Sequence, residues 1–150
     1  RPLSYTWMGE WVTGICYGGV FGCLWLVAGN APDTTAMLGM LAFAALATAL
    51  LLSHQPRQIE TDRAAGKHSF AVRYGKQTTG RVSLLLFSLF ALLLVLMTWP
   101  VFPTLFWQVL FLVLILLLLA YVSSRGPNPK RILLSASGMI LFVLLRMRFM

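Results

Sequence analysis

Charge is scarce in this sequence. Only 11% of its 150 residues are Asp, Glu, Lys or Arg, against 59% hydrophobic residues, and only four of the charged residues are acids. With a mean hydropathy of +0.80, that composition excludes an ordinary soluble domain. Cysteine is limited to Cys16 and Cys23, seven residues apart on one face of a helix. They lack metal-ligand spacing and are predicted to be small buried thiols packed between helices. Histidine is limited to His54 and His68, fourteen residues apart with only Glu60 and Asp62 as acids between them, a poor zinc signature. Glu60, two residues from Asp62, points elsewhere on a regular helix and is expected to meet solvent or Arg63. No low-complexity tail and no second, soluble domain is visible.

What the chain has instead is long apolar runs. A bilayer core about 30 Å thick takes about 20 helical residues to cross. Five runs approach that length, at 7–28, 35–52, 82–101, 105–122 and 132–145, the last being the shortest. The fold class predicted is therefore all-α, a polytopic membrane helical bundle of about five transmembrane helices in a single membrane domain. The first run exceeds the apolar stretch of a signal peptide and lacks a small-residue cleavage pattern. The chain begins with Arg1 rather than Met, and a missing amino-terminal portion is expected.

The cations give an orientation. Arg57, Arg63, Lys67, Arg73, Lys76 and Arg81 lie between the second and third runs, and Arg125, Lys130 and Arg131 between the fourth and fifth. The intervening connections, 29–34 and 98–104, hold no Lys or Arg. Short cation-rich loops stay in the cytoplasm, so the polar stretch 53–81 is expected to face it, and only Arg146 and Arg148 oppose the pattern. The net charge of +8 sits in loops at one membrane face, not on a soluble basic domain with interleaved aromatics, which argues against nucleic acid and for anionic membrane lipid or a phosphorylated substrate.

Gly14, Gly18 and Gly22 form a doubled small-xxx-small pattern on the first helix, suited to close helix packing. A groove for an isoprenoid tail beside that stripe is the alternative. Glu10, at the cytoplasmic end of the same span, is costly unless paired or near water. Trp7, Trp11, Trp25, Trp99 and Trp107 fall near span ends as interfacial anchors, while Pro100, Pro103 and the segment 123–129 read as turns.

The stretch 53–81 carries two of the four acids and six of the twelve Lys and Arg residues, far more than a connector between two spans needs. Were 58–67 helical, Gln58 and Asp62 would share one face, and Arg63 and Lys67 a neighbouring one. A carboxylate beside two cations suits a diphosphate met by Mg²⁺ and by Arg or Lys directly.

Residues 59–67, IETDRAAGK, followed by FAVRYG at 70–75, resemble the second aspartate-rich motif of the UbiA-type membrane prenyltransferases, in particular the 1,4-dihydroxy-2-naphthoate polyprenyltransferase branch of menaquinone biosynthesis. Asp62, Arg63, Gly66, Lys67, Val72, Arg73 and Gly75 fall on the motif positions. The opening residues 2–5 and the pair Gly9 and Glu10 resemble the entry to the fifth helix of that branch, so the five runs would be helices five to nine of a nine-helix fold and the chain its C-terminal half. The resemblance implies a bacterial inner-membrane enzyme. A polyprenyl diphosphate would bind through Mg²⁺ and basic residues, diphosphate would depart, and an aromatic acceptor such as dihydroxynaphthoate would attack the allylic cation. By the same carry-over Asp62 and Lys67 are the catalytic residues, Asp62 and Gln58 hold Mg²⁺, and Arg63, Lys67, Arg73, Gln58 and Glu10 bind substrate, the groups from Arg57 to Arg73 gathering at the cytosolic mouth of a helical cavity.

Two departures from the motif stand out. Gln58 replaces its first aspartate and offers a neutral carbonyl oxygen where a hard cation prefers a carboxylate. The lead-in is His54-Gln55-Pro56-Arg57 instead of Asn-rich, and the first aspartate-rich loop, which the family's site also needs, is not in this sequence. A catalytically lapsed homologue that binds a prenyl lipid or a membrane partner is thus the competing function. A small transporter or structural membrane protein is a third, which leaves the motif unexplained.

Overall fold

The computed structural model describes Thr6 and residues 8–148. The expectations that rest on Arg1, on residues 2–5 and on Trp7 lie outside the described residues. The order of elements is α1 (Gly9–Val27), α2 (Thr34–His54), a 3-10 turn (Gln55–Arg57), α3 (Ile59–Ala64), α4 (Phe70–Thr98), a second 3-10 turn (Trp99–Val101), α5 (Leu105–Arg125) and α6 (Pro129–Arg148). Among the described residues there is no strand, and the all-α membrane bundle stands. Helices α1, α2, α4 and α5 are long and apolar enough to cross a membrane. The fifth expected run is also helical, over 20 residues, but its apolar centre is shorter and is bracketed by Lys130 and Arg131 at one end and Arg146 and Arg148 at the other.

Local chemistry sets most boundaries. Asp33 caps α2 by accepting from the Ala36 N–H at 2.8 Å. Pro129 opens α6, where its missing N–H costs nothing, and Gly126, at φ +76°, ends α5. The third span begins at Phe70 rather than at residue 82, a correction to the predicted loop. Residues 70–81 are polar but helix-compatible, and the departure from helical geometry is confined to Gly75 (φ 80°, ψ 166°), a conformation that glycine alone adopts readily.

The bundle is organised around α2, which packs against both α1 and α4. On the α1 side the glycine stripe does what its spacing predicts. A Cβ at Gly18 would lie 2.7 Å from the Met40 carbonyl oxygen, one at Gly14 2.3 Å from Thr48 Oγ1, and one at Gly22 2.9 Å from Met40 Sδ. The two backbones therefore approach as only glycine permits. Cys16 and Cys23 are exposed, which corrects their predicted burial: the glycines occupy the packed face of α1, and the thiols stand roughly 140–180° around the helix from Gly14 and Gly18, at 100° per residue.

On the α4 side, Ala42, Ala45 and Ala49 are buried with Phe87 and Phe90, and the Ser83 hydroxyl donates to the Ala49 carbonyl at 2.8 Å. A second aromatic cluster, Phe102 on Phe111 (4.8 Å) and Phe111 on Phe142 (5.5 Å), closes the end where α5 starts and α6 finishes. There Arg146 lies over the Trp107 ring, 5.3 Å from its centroid. Leu105, Leu116 and Leu117 leave at least 64% of their surface exposed, so α5 is apolar on faces that no protein covers, as a lipid-facing helix must be.

Gly18→Ala places a methyl group against backbone that has no room to yield. It should destabilise the bundle by about 1–3 kcal/mol, the usual cost of overpacking. Gly19→Ala, with nothing within 4 Å of its Cβ, should leave the thermal unfolding midpoint in detergent unchanged. Equal midpoints for the two variants would contradict the packing described.

Candidate functional site at the polar end of the bundle

The site grows from the way α2 ends. Pro56 follows Gln55 and tightens the chain into a 3-10 turn, from which α3 runs only as far as Ala64. Gly66 (φ +67°) stops it. The Lys67 N–H returns to the Asp62 carbonyl at 2.9 Å and the Gly66 N–H to the Arg63 carbonyl at 3.1 Å, the paired bonds of a Schellman terminus. The helix expected to continue through residue 67 is thus cut short. Lys67 does not share a face with Arg63; the reversal at Gly66 turns it back over Asp62, and Lys67 Nζ lies 3.6 Å from Asp62 Oδ1.

Glu10 faces this turn from α1 and is only 4% exposed. Its Oε1 accepts from Gln55 Nε2 at 2.5 Å and from the Phe70 N–H at 3.0 Å, while Gln55 Oε1 accepts from the Ala71 N–H at 3.3 Å. The first amides of a helix lack intrahelical partners, and Ser69, at the N-cap position of α4, makes no capping bond with its side chain. A carboxyl from 60 residues away and an amide from 16 residues away cap α4 instead. Glu10 Oε2 and Ser69 Oγ are buried without a hydrogen-bond partner.

These groups line one cleft of about 220 Å³, with Glu10, Thr13, Gln55, Gln58, Asp62, Lys67 and Ser69 on its walls. It adjoins a groove of about 450 Å³ between α1 and α2, with which it shares Thr13 and Leu51. That groove in turn shares Tyr17 and Phe43 with a hollow of about 580 Å³ that reaches Ala28 and Asn30 at the far end of α1. A polar pocket is therefore followed along α1 by two neighbouring, largely apolar hollows. Together they border α1 from Thr13 to Ala28, about 22 Å at 1.5 Å per residue.

Of the residues predicted from sequence, Glu10, Gln58, Asp62 and Lys67 come together here. Arg63 and Arg73 are exposed and do not line the cleft. They stand one residue beyond Asp62 and one helical turn beyond Ser69. Arg57 leaves the group altogether: the turn that buries Gln55 sends Arg57 to a different concavity, so the expected gathering from Arg57 to Arg73 is only partial. Glu60 is exposed as expected. Among the described residues no three His, Cys, Asp or Glu side chains group for a metal ion. The oxygen donors Asp62 and Gln58, a carboxylate and an amide lining one cleft, nevertheless fit a hard cation such as Mg²⁺, which takes one or two carboxylates and completes its shell with phosphate and water. Gln55 and Ser69 were not singled out from sequence. The available signal was the cost of burying Glu10, which required partners without saying where in the chain they lay.

Glu10→Ala strands the Phe70 amide and the Gln55 side chain and should cost about 1–3 kcal/mol, with faster amide hydrogen exchange at the start of α4. Undiminished protection there would rule out the capping role.

The family model for UbiA prenyltransferases matches residues 2–145. No curated protein and no solved structure matches the chain. With a family match over nearly its whole length, and with helices long and apolar enough to cross a bilayer, this integral membrane chain belongs to the UbiA prenyltransferase family, whose members transfer prenyl groups from prenyl diphosphates to aromatic acceptors.

Proposed function

We propose that the chain acts in transferring a polyprenyl group from polyprenyl diphosphate to a quinone precursor such as dihydroxynaphthoate, in a menaquinone-type pathway, and that it supplies the half of the site built on the second aspartate-rich loop. The observation that carries this reading is the joining of a polar cleft holding Asp62 and Lys67 to an apolar groove between α1 and α2. That shape suits an amphiphile with a charged head and a long hydrocarbon tail.

In this reading Asp62 and Gln58 would hold Mg²⁺, which when bound would supply neutralisation of the diphosphate's charge. Lys67 has 38% of its side chain exposed and pairs with Asp62 at 3.6 Å. Such a pair is worth about 0.2–1 kcal/mol near water, so the more highly charged diphosphate competes for the ammonium. Arg63 and Arg73 extend the cationic rim for the same head group. Glu10 Oε2, lacking a partner, accepts from a hydroxyl of the aromatic ring. The groove keeps water from the allylic cation. The cation-rich end faces the cytoplasm of a bacterial inner membrane, by the distribution of Lys and Arg. Gln58 is the observation that favours the competing reading, a lapsed homologue that still binds a prenyl lipid, because an amide weakens the hold on a hard cation.

In membranes carrying the full-length protein, Asp62→Ala should lower incorporation of labelled prenyl diphosphate into quinone precursors by at least about 100-fold, the scale of losing one charge-stabilising group. Gln58→Asp should reduce the Mg²⁺ concentration needed for half-maximal turnover. Wild-type turnover in a folded Asp62→Ala variant would remove Asp62 from the role. Prenyl diphosphate binding with no transfer by the native protein would favour the lapsed homologue.

A further inference from the structure

The cations that leave the Asp62 cleft collect elsewhere. Arg57, Lys76, Arg81, Arg125 and Arg131 line a basin of about 690 Å³ at the same end of the bundle. None of the four acids of the chain is among its lining residues, and it shares no lining residue with the cleft. Like charges converging on one concavity repel one another and are relieved by a bound anion. The five cations are supplied by separate segments: Arg57 by the 3-10 turn after α2, Lys76 and Arg81 by the stretch of α4 just past the Gly75 break, and Arg125 and Arg131 by the end of α5 and the first turn of α6.

The concavity is held by specific packing. Gln77, Gly80, Arg81 and Leu84 follow one another at helical spacing along a single face of α4. Gly80 faces the α5–α6 connection, where a Cβ would stand in ordinary van der Waals contact with Pro127 Cγ at 3.4 Å. Arg131 donates from one guanidinium nitrogen to the carbonyls of Arg125 and Gly126. This satisfies the end of α5 and fixes the loop that carries Arg125. The wall is also partly apolar, through Pro56, Leu84 and Pro127.

We propose that this basin binds the phosphate headgroup of an anionic phospholipid. It lies where the apolar runs of α2 and α5 end and that of α4 begins, the level at which lipid headgroups meet membrane-spanning helices. Its mixture of fork-shaped guanidinium donors and apolar wall matches a phosphodiester attached to glycerol and acyl chains. The site is independent of the Asp62 cleft, so it stands or falls separately from the catalytic reading.

The test uses the full-length protein, purified in neutral detergent and stripped of lipid, titrated in three arms with phosphatidylglycerol, phosphatidylcholine and inorganic diphosphate. Native mass spectrometry and the thermal midpoint are the readouts. Phosphatidylglycerol should bind and raise the midpoint. The double variant Arg57→Gln/Arg81→Gln should bind it at least about tenfold more weakly, as expected from removing two cations near an anionic group, and Arg57→Lys/Arg81→Lys should recover much of the loss. Arg148→Gln, outside the basin, should behave as the native protein. Equal binding of phosphatidylcholine, or undiminished phosphatidylglycerol binding in the double Gln variant, would overturn the proposal. A response to diphosphate alone would overturn the lipid assignment and identify the occupant as a free anion.

Discussion

The buried carboxyl of Glu10 is the point on which the polar end of this molecule depends. One oxygen serves two donors at once, the Gln55 amide and the Phe70 backbone N–H, and so ties α1, the turn after α2 and the start of α4 into one junction. The energetic logic is that of exposed helix ends in a poorly hydrated place. The first amides of α4 need acceptors, the local serine does not provide one, and a carboxyl brought by another helix does. Removing the acceptor leaves donors without water to replace it, which is where hydrogen bonds matter most.

That junction also explains why the neighbouring cleft has unfilled bonding capacity. Glu10 spends one oxygen on structure and leaves the other buried and unpartnered beside Asp62, Gln58 and Ser69. A folded protein seldom leaves such groups without a partner. Here they adjoin a largely apolar groove between α1 and α2. The glycine stripe of α1 belongs to the same construction. By letting α1 lie against α2 at backbone distance near Gly14 and Gly18, it leaves Thr13 and Tyr17 beside Phe43 and Leu50 as the walls of the groove.

Two short devices sort the cations. The Schellman terminus at Gly66 folds Lys67 back onto Asp62, and the 3-10 turn at Pro56 separates Gln55 from Arg57, sending one into the Glu10 junction and the other to the basic basin. A stretch of chain that is uniformly polar in sequence is thereby divided between two chemically different concavities at one end of the bundle.

The class of fold, the five helical runs, the glycine packing face and the candidacy of Glu10, Gln58, Asp62 and Lys67, which the fold brings to one cleft, were all legible from the amino-acid sequence, because they rest on local quantities: hydropathy over a span, spacing around a helix, the cost of a charge in an apolar run, and a dense short motif. What the sequence left open rests on contacts between distant segments. The outward-facing thiols of Cys16 and Cys23, the helical start of α4 at Phe70, the partnership of Glu10 with residues 45 and 60 positions away and the diversion of Arg57 from the cleft were decided only when the helices packed. Polarity and periodicity say that a buried acid needs a partner and that a cation seeks an anion. Which partner each one meets depends on how the glycine and proline turns aim the chain in three dimensions.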